Sequence, residues 1–210
     1  MLIKDPSVPG PSVETKKRIF DAARELFALH GFNAVSMRDI AHKVSIKASS
    51  IYYYYNKKED LIQDILSSFQ KEYIHSFEQL SSIAINTNSL EEFMDSIFAK
   101  EVLEMLCPNA CLSMSLAFRE QHSNEHARSC VFDLIYKNSI MLLQSCLNIL
   151  ITRELASPAD TKTLATLFMF CLTSATELRV HEYMGITPPV DYSETYAGLK
   201  KIIASALTPL

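Results

Sequence analysis

The chain has 210 residues, 48% of them hydrophobic and 21% charged, which is enough for one substantial core with a small satellite domain. No apolar run reaches the roughly 18 residues of a membrane span, and the start, MLIKDPSVPGPSV, lacks the apolar core of a signal peptide, so a cytoplasmic protein is expected. The net charge of −4 is uneven: residues 14–60 carry nine Lys/Arg against six Asp/Glu, a balance of +3 that leaves −7 for the rest, as a polyanion-binding head on an acidic trunk would show.

Residues 1–13 hold three of the eight prolines and one of the four glycines without apolar periodicity, and read as a disordered tail. Ile19, Ala22, Ala23, Leu26 and Phe27 then form a helical stripe that Gly31 closes. Ser36-Met-Arg-Asp39 is a capping box opening a short second helix with Ile40, Ala41 and Val44 on its apolar face. A turn over Ser45 and Ile46 leads to a third helix, about Lys47 to Tyr55, and Asn56-Lys-Lys-Glu59 caps a fourth carrying Leu61, Ile62, Ile65, Leu66 and Phe69.

The remainder continues in longer elements. Ser89-Leu-Glu-Glu92 opens a helix that Pro108 stops, and residues 109–122 offer another. No Gly or Pro interrupts residues 124–154, a rod of about 45 Å at 1.5 Å per residue. Ser157-Pro-Ala-Asp160 starts a helix that Gly185, Pro188 and Pro189 end, and residues 191–207 make the last. With no sustained alternation of period two, the expected fold is all-α, with about nine helices and no strand. The expected domains are a head at 14–74 and a body at 75–210.

Two short helices around a tight turn within residues 36–55, backed by a longer helix, make a helix-turn-helix, whose second helix fits a major groove about 12 Å wide. The four consecutive tyrosines, 52 to 55, fan out in four directions on such a helix. Ile51 and Tyr55 are expected to pack inward with Val44 and Ile46. Lys47, Ser50, Tyr53 and Tyr54 stay outside, where phenols can donate to phosphates and Lys47 and Lys58 neutralise charge.

The stretch RIFDAARELFALHGFNAVSMRDIAHKVSIKASSIYYYYNKKEDLI resembles the DNA-binding domain of the tetracycline-repressor (TetR) family, placing Ala23, Leu26, Phe27, Gly31, Phe32, Ser36, Ile40, Ala41, Ile51, Tyr52, Tyr54, Lys58 and Leu61 without a gap. It departs from the family pattern at Ser45, where the turn usually has glycine, and at Ser49, where helix three usually has Gly or Pro. The resemblance implies that Ser36 and Arg38, then Lys47, Ala48, Ser49, Ser50, Tyr52, Tyr53 and Tyr54, and finally Lys58 face DNA. Tyr52, Tyr54 and Lys58 would meet phosphates, with residues 47–49 and Tyr53 nearer base edges. It further implies a homodimer, joined through the last two helices, that reads a palindromic operator with recognition elements about 34 Å apart.

By the same resemblance the body holds a small-molecule pocket whose occupancy shifts the two heads, which requires different ligand affinity for the two shapes. Apolar and embedded polar residues suited to a hydrophobic or amphipathic effector are Phe98, Met114, Phe118, Phe132, Tyr136, Asn138, Phe170, Thr173 and Glu177, although core packing accounts for the apolar ones as well. One alternative competes: His122, His126 and Cys130 recur at i, i+4, i+8 and could present nitrogen and sulfur to zinc in a metal-binding enzyme or sensor. Against it, Ser123-Asn124 looks like a helix cap that breaks the face. There is no G-x-S-x-G, no H-E-x-x-H and no glycine-rich phosphate loop, so neither an enzyme, nor a cofactor, nor a metal is expected. The five cysteines, 107, 111, 130, 146 and 171, sit among apolar neighbours and are expected to be reduced.

Overall fold

The computed structural model of the chain describes residues 12–98, 108–183, 185–188, 191 and 193–208. Helix α1 (Val13–His30) starts where the Ser12 hydroxyl accepts the Thr15 N–H at 3.0 Å, so the last two residues of the expected tail belong to the fold; residues 1–11 lie outside the described ones. It ends at Gly31, whose φ of 86° is open to glycine and costly for other residues. Ile19, Ala22, Ala23, Phe27 and Ala28 form its buried face.

Helix α2 (Met37–Lys43) has the complete capping box: the Ser36 hydroxyl accepts the Asp39 N–H at 3.3 Å, and the Asp39 carboxylate accepts the Ser36 N–H at 2.8 Å. It stops in a Schellman motif, with Ile46 N–H on Ala41 O and Ser45 N–H on His42 O. The residue that must turn left-handed there is Ser45, with φ 57°, in the position where the family carries glycine.

The expected third helix is reduced to one turn of 3-10 helix, η1 (Ser50–Tyr53). Its start has no side-chain cap, and its backbone makes few bonds of its own: Ser50 N–H to Lys47 O, and the Tyr54 and Tyr55 N–H groups to Ile51 O. Consecutive aromatic and serine residues are weak helix formers, so nothing local extends the turn. The capping box expected at Asn56 is also absent. Helix α3 (Lys58–Asn86) begins from Lys57, whose side chain makes no cap bond. This 29-residue helix crosses the expected domain boundary at 74/75 unbroken and so links head and body.

In the body, α4 (Leu90–Ile97) uses the predicted Ser89 cap, with the Glu92 N–H on its hydroxyl at 3.1 Å. Pro108 begins α5 (Pro108–Glu120), a place that suits a residue without an N–H; the expected course of the preceding helix up to Pro108 lies outside the described residues. The rod is α6 (Glu125–Thr152), capped by the Asn124 side chain and widened to a π-helix over Cys130–Asn138. There the buried Ser139 hydroxyl donates to Leu134 O at 2.9 Å, the carbonyl five residues back, and lies within hydrogen-bond distance of the Tyr73 phenol oxygen, at 3.2 Å. By length and composition α6 is the one described helix apolar enough to cross a membrane, a property the uninterrupted-run reading overlooked. Here it packs against α3 and α7, burying Leu143, Cys146, Leu147 and Leu150.

Helix α7 (Thr161–Tyr183) starts three residues later than Ser157-Pro158 suggested. Asp160 is the cap, its carboxylate accepting the Thr163 N–H at 3.1 Å and the Thr163 hydroxyl at 2.7 Å. Helix α8 (Ser193–Leu207) lies on α4, where Lys200 pairs with Asp95. Among the described residues the fold is therefore eight α-helices and one 3-10 turn with no strand, in line with the all-α expectation. The core is continuous from Ile19 and Phe27 in the head to Leu150 and Met169 in the body.

Candidate nucleic-acid interface

The turn η1 is held from below. Ile51 is fully buried, and buried Tyr55 donates its phenol to Asp64 at 2.7 Å while Lys16 lies 5.2 Å from its ring centre. Burial first, and then the Asp64 carboxylate, raise the Tyr55 pKa and keep it a neutral donor. With these two anchors inward, Tyr52 and Tyr53 are pushed out, 53% and 56% exposed. Large aromatic groups left half in water beside the exposed Lys47, Ala48 and Ser49 form a surface suited to sugars, phosphates and base edges.

The other candidates divide. Arg38 is exposed on α2, and so is Ser36, although its hydroxyl also donates to Asp39 at 2.6 Å. Ser50 is half-buried. Tyr54 is half-buried too, and its phenol oxygen accepts the Ser12 N–H at 3.2 Å, which ties the start of α1 to the recognition turn. Lys58 is drawn inside the head: its ammonium donates to Phe32 O at 2.7 Å and Val35 O at 2.8 Å, and sits 4.2 Å from the Phe32 ring centre. Its neighbour Lys57 is exposed at the start of α3. The Lys-Lys doublet was visible in the sequence, but a spacing pattern does not say which of two adjacent lysines turns inward.

Asp39 carries a lowered pKa, through the Ser36 hydroxyl first and the Ser36 N–H second. A carboxyl whose folded pKa is depressed contributes stability above its unfolded value, about pH 4, and loses it as pH falls through the folded value. Ser36→Ala is thus expected to cost about 1 kcal/mol at pH 7. The difference should shrink in acid, as the pH falls through the depressed pKa of Asp39 and the carboxyl is protonated; urea midpoints of the two proteins at pH 7 and through the acid range measure it.

In the body, Phe118, Tyr136 and Phe170 are brought together, with centroid separations of 6.1 Å and 5.8 Å. Phe98 instead meets Phe168 edge-on at 5.4 Å. Met114 is buried core, and the buried Thr173 hydroxyl donates to Met169 O at 3.0 Å and Phe170 O at 3.1 Å. Phe132 and Asn138 are exposed, and Glu177 is half-buried. A separate open cleft of about 300 Å³ lies where head meets body, lined by Arg18, Asp21, Glu25, Lys43, Asn109, Leu112 and Tyr183 among others, and by none of these candidates. Its charges are already matched: Lys43 with Glu25 at 2.8 Å, Arg18 with Val44 O at 2.6 Å, and Asp21 with Arg24 at 2.7 Å.

The zinc alternative does not survive the geometry. Asn124 caps α6 between the two histidines, leaving His122 exposed in the preceding turn. His126 instead has a ring nitrogen on the Gln63 side-chain oxygen. Cys130 is buried, and burial pushes its thiol pKa up to about 11, against the thiolate a metal needs. Among the described residues no group of three His, Cys, Asp or Glu could hold a metal ion.

A capped short helix, a left-handed turn and an exposed recognition turn, supported by α1 and α3, define a helix-turn-helix DNA-binding domain on an all-helical body. Residues 19–65 match the family model described as bacterial regulatory proteins, tetR family, which makes this stretch a TetR-type DNA-binding domain. The HTH-type transcriptional regulator UidR of Escherichia coli K12 is 35% identical over 65 residues, 31% of this chain and 33% of UidR. The HTH-type transcriptional repressor KstR2 of Mycolicibacterium smegmatis is 28% identical over 100 residues, 46% of this chain and 48% of its own. These alignments thus span a third to a half of the relatives' lengths. The ketosteroid transcriptional regulator KstR2 of Mycobacterium tuberculosis shares the fold over 97% of this chain and all of its own, with a TM-score of 0.66 and 18% identity.

Proposed function

We propose that the chain is a sequence-specific transcriptional repressor that binds a palindromic operator as a homodimer and is released by a hydrophobic or amphipathic small molecule. The observation that carries the reading is the recognition turn. Tyr52 and Tyr53 are exposed while Ile51 and Tyr55 lock the turn to the core, an expenditure of aromatic surface that stability alone does not call for. In this reading Arg38 and Ser36 at α2, residues 47–50, Tyr52 and Tyr53 face the duplex, and Lys57 supplies the phosphate contact that the sequence assigned to Lys58. Head and body divide within α3, about residue 74. The dimer forms through α7 and α8, where Leu167, Phe170, Leu178 and Ile202 leave apolar surface in water. The aromatic group of Phe118, Tyr136 and Phe170 is the best support for an apolar effector, and a relative described as a ketosteroid regulator is consistent with that chemistry. The protein acts in the cytoplasm, on the nucleoid.

Selection of bound duplexes from a random DNA pool tests the proposal. A two-fold symmetric site should emerge, with half-sites one helical turn apart and a binding constant that falls steeply with salt. Recovery of unenriched sequences would remove the claim of specificity.

A further inference from the structure

The turn between α1 and α2 is held by the body. The last carbonyls and the next N–H groups at a helix end have no partners within the helix and must find them elsewhere. At the end of α1, Gly31 N–H closes on Phe27 O, but Phe32 N–H is met by a carboxylate 88 residues away: Glu120 Oε1, at 3.1 Å. Glu120 is itself buried at the end of α5, and its other oxygen accepts the Ser123 hydroxyl at 3.1 Å. Beside it, Arg119 donates to Leu29 O at 3.2 Å in the last turn of α1, a cation placed on a helix C-terminus.

What Glu120 grips is the hub of the head. The Phe32 ring packs edge-on against Phe27 at 5.3 Å and lies under the Lys58 ammonium. Lys58 holds both Phe32 O and Val35 O, and Val35 immediately precedes Ser36, the cap of α2. One bonded sequence therefore runs from α5 through Phe32 and Lys58 to the start of the helix that presents Arg38. On α5, Phe118 lies two residues before Glu120 and contacts Tyr136 of the π-segment.

We infer that Glu120 is a positioning residue through which the body sets the α1–α2 turn, and hence the pose of the DNA-reading elements. This rests on the DNA-binding reading for its consequence, though not for its geometry. A charged acceptor removed from a part-buried N–H leaves that N–H without its protein partner, whereas glutamine keeps an acceptor at the same place.

Hydrogen exchange on the full-length protein tests it with Glu120→Ala and Glu120→Gln. In free protein, the Phe32 amide should exchange about tenfold or more faster in Glu120→Ala and near the original rate in Glu120→Gln. Adding the selected operator duplex should slow exchange across residues 108–120 in the parent, and this response should vanish in Glu120→Ala because coupling is reciprocal. Operator affinity should fall in Glu120→Ala with its salt slope unchanged, since no phosphate contact is lost. Unchanged Phe32 exchange in Glu120→Ala would overturn the assignment, as would an undiminished response of α5 to DNA. Should Glu120→Ala not fold, Glu120→Met, which fills the space but offers no accepting oxygen to the Phe32 N–H, carries the same two measurements, with the same outcomes for and against. A parent protein that binds no duplex would sink the DNA-binding reading, while the Phe32 rate still decides the contact.

Discussion

Replacing Lys58 with alanine is expected to destabilise the head and abolish tight DNA binding without changing the salt slope of what binding remains. The ammonium is committed to Phe32 O and Val35 O and to the face of the Phe32 ring. Its loss leaves two carbonyls without their charged donor at the loop that feeds α2, at a cost of about 1–3 kcal/mol. Part of the cation–π contact, about 0.5–2 kcal/mol, is lost with it. The substitution therefore acts on the pose of Ser36 and Arg38 and removes no phosphate partner.

Lys57→Ala should do the reverse. Lys57 is exposed and makes no cap bond, so stability should hold within about 0.5 kcal/mol. If it meets a phosphate, the slope of log K against log salt should fall in magnitude by about 1. Urea unfolding together with a salt titration of operator binding separates the two lysines. A stable Lys58→Ala with a reduced slope would restore the role the sequence suggested for it.

The difference between these lysines marks how far the sequence could be read. Capping boxes and apolar stripes are local, so Ser36 with Asp39, Ser89 with Glu92 and the face of α1 were all legible. Inward and outward directions in the tyrosine run were legible for Ile51, Tyr52, Tyr53 and Tyr55, because one core takes one side of a turn. Tyr54 was not, since its partner is the Ser12 amide 42 residues earlier. The third helix was overestimated because the run from Lys47 to Tyr55 has inward positions at the right spacing, but no cap and little helix propensity to carry the backbone between them. The helix start at Asp160 shows the same limit: proline and capping signals say that a boundary is near, and packing picks the residue. Glu120 gave no signal at all. A glutamate near a helix end is ordinary by sequence, and its role exists only because α5 docks on α1.

Ile51→Ala is expected to have the largest effect of any single change in the recognition turn. With four residues, no side-chain cap and few backbone bonds, η1 has little stability of its own, so its position is set by what it buries. Ile51 is fully buried there, and Tyr55 is the other anchor. Truncation removes buried methylenes and leaves a cavity that the fixed helices α1, α2 and α3 cannot readily close, for about 2–5 kcal/mol. The consequence for DNA should exceed that for folding. At low temperature, where the variant is still folded by circular dichroism, Tyr52 and Tyr53 would no longer be presented at a fixed height, and specific affinity should fall toward the nonspecific level while electrostatic binding persists. Ile51→Val, which keeps most of the volume, should cost about 0.5–1.5 kcal/mol and retain operator preference. Competition of operator against random duplex for both variants is the measurement. Equal operator preference in the two variants would mean that the turn is positioned by contacts other than its buried isoleucine.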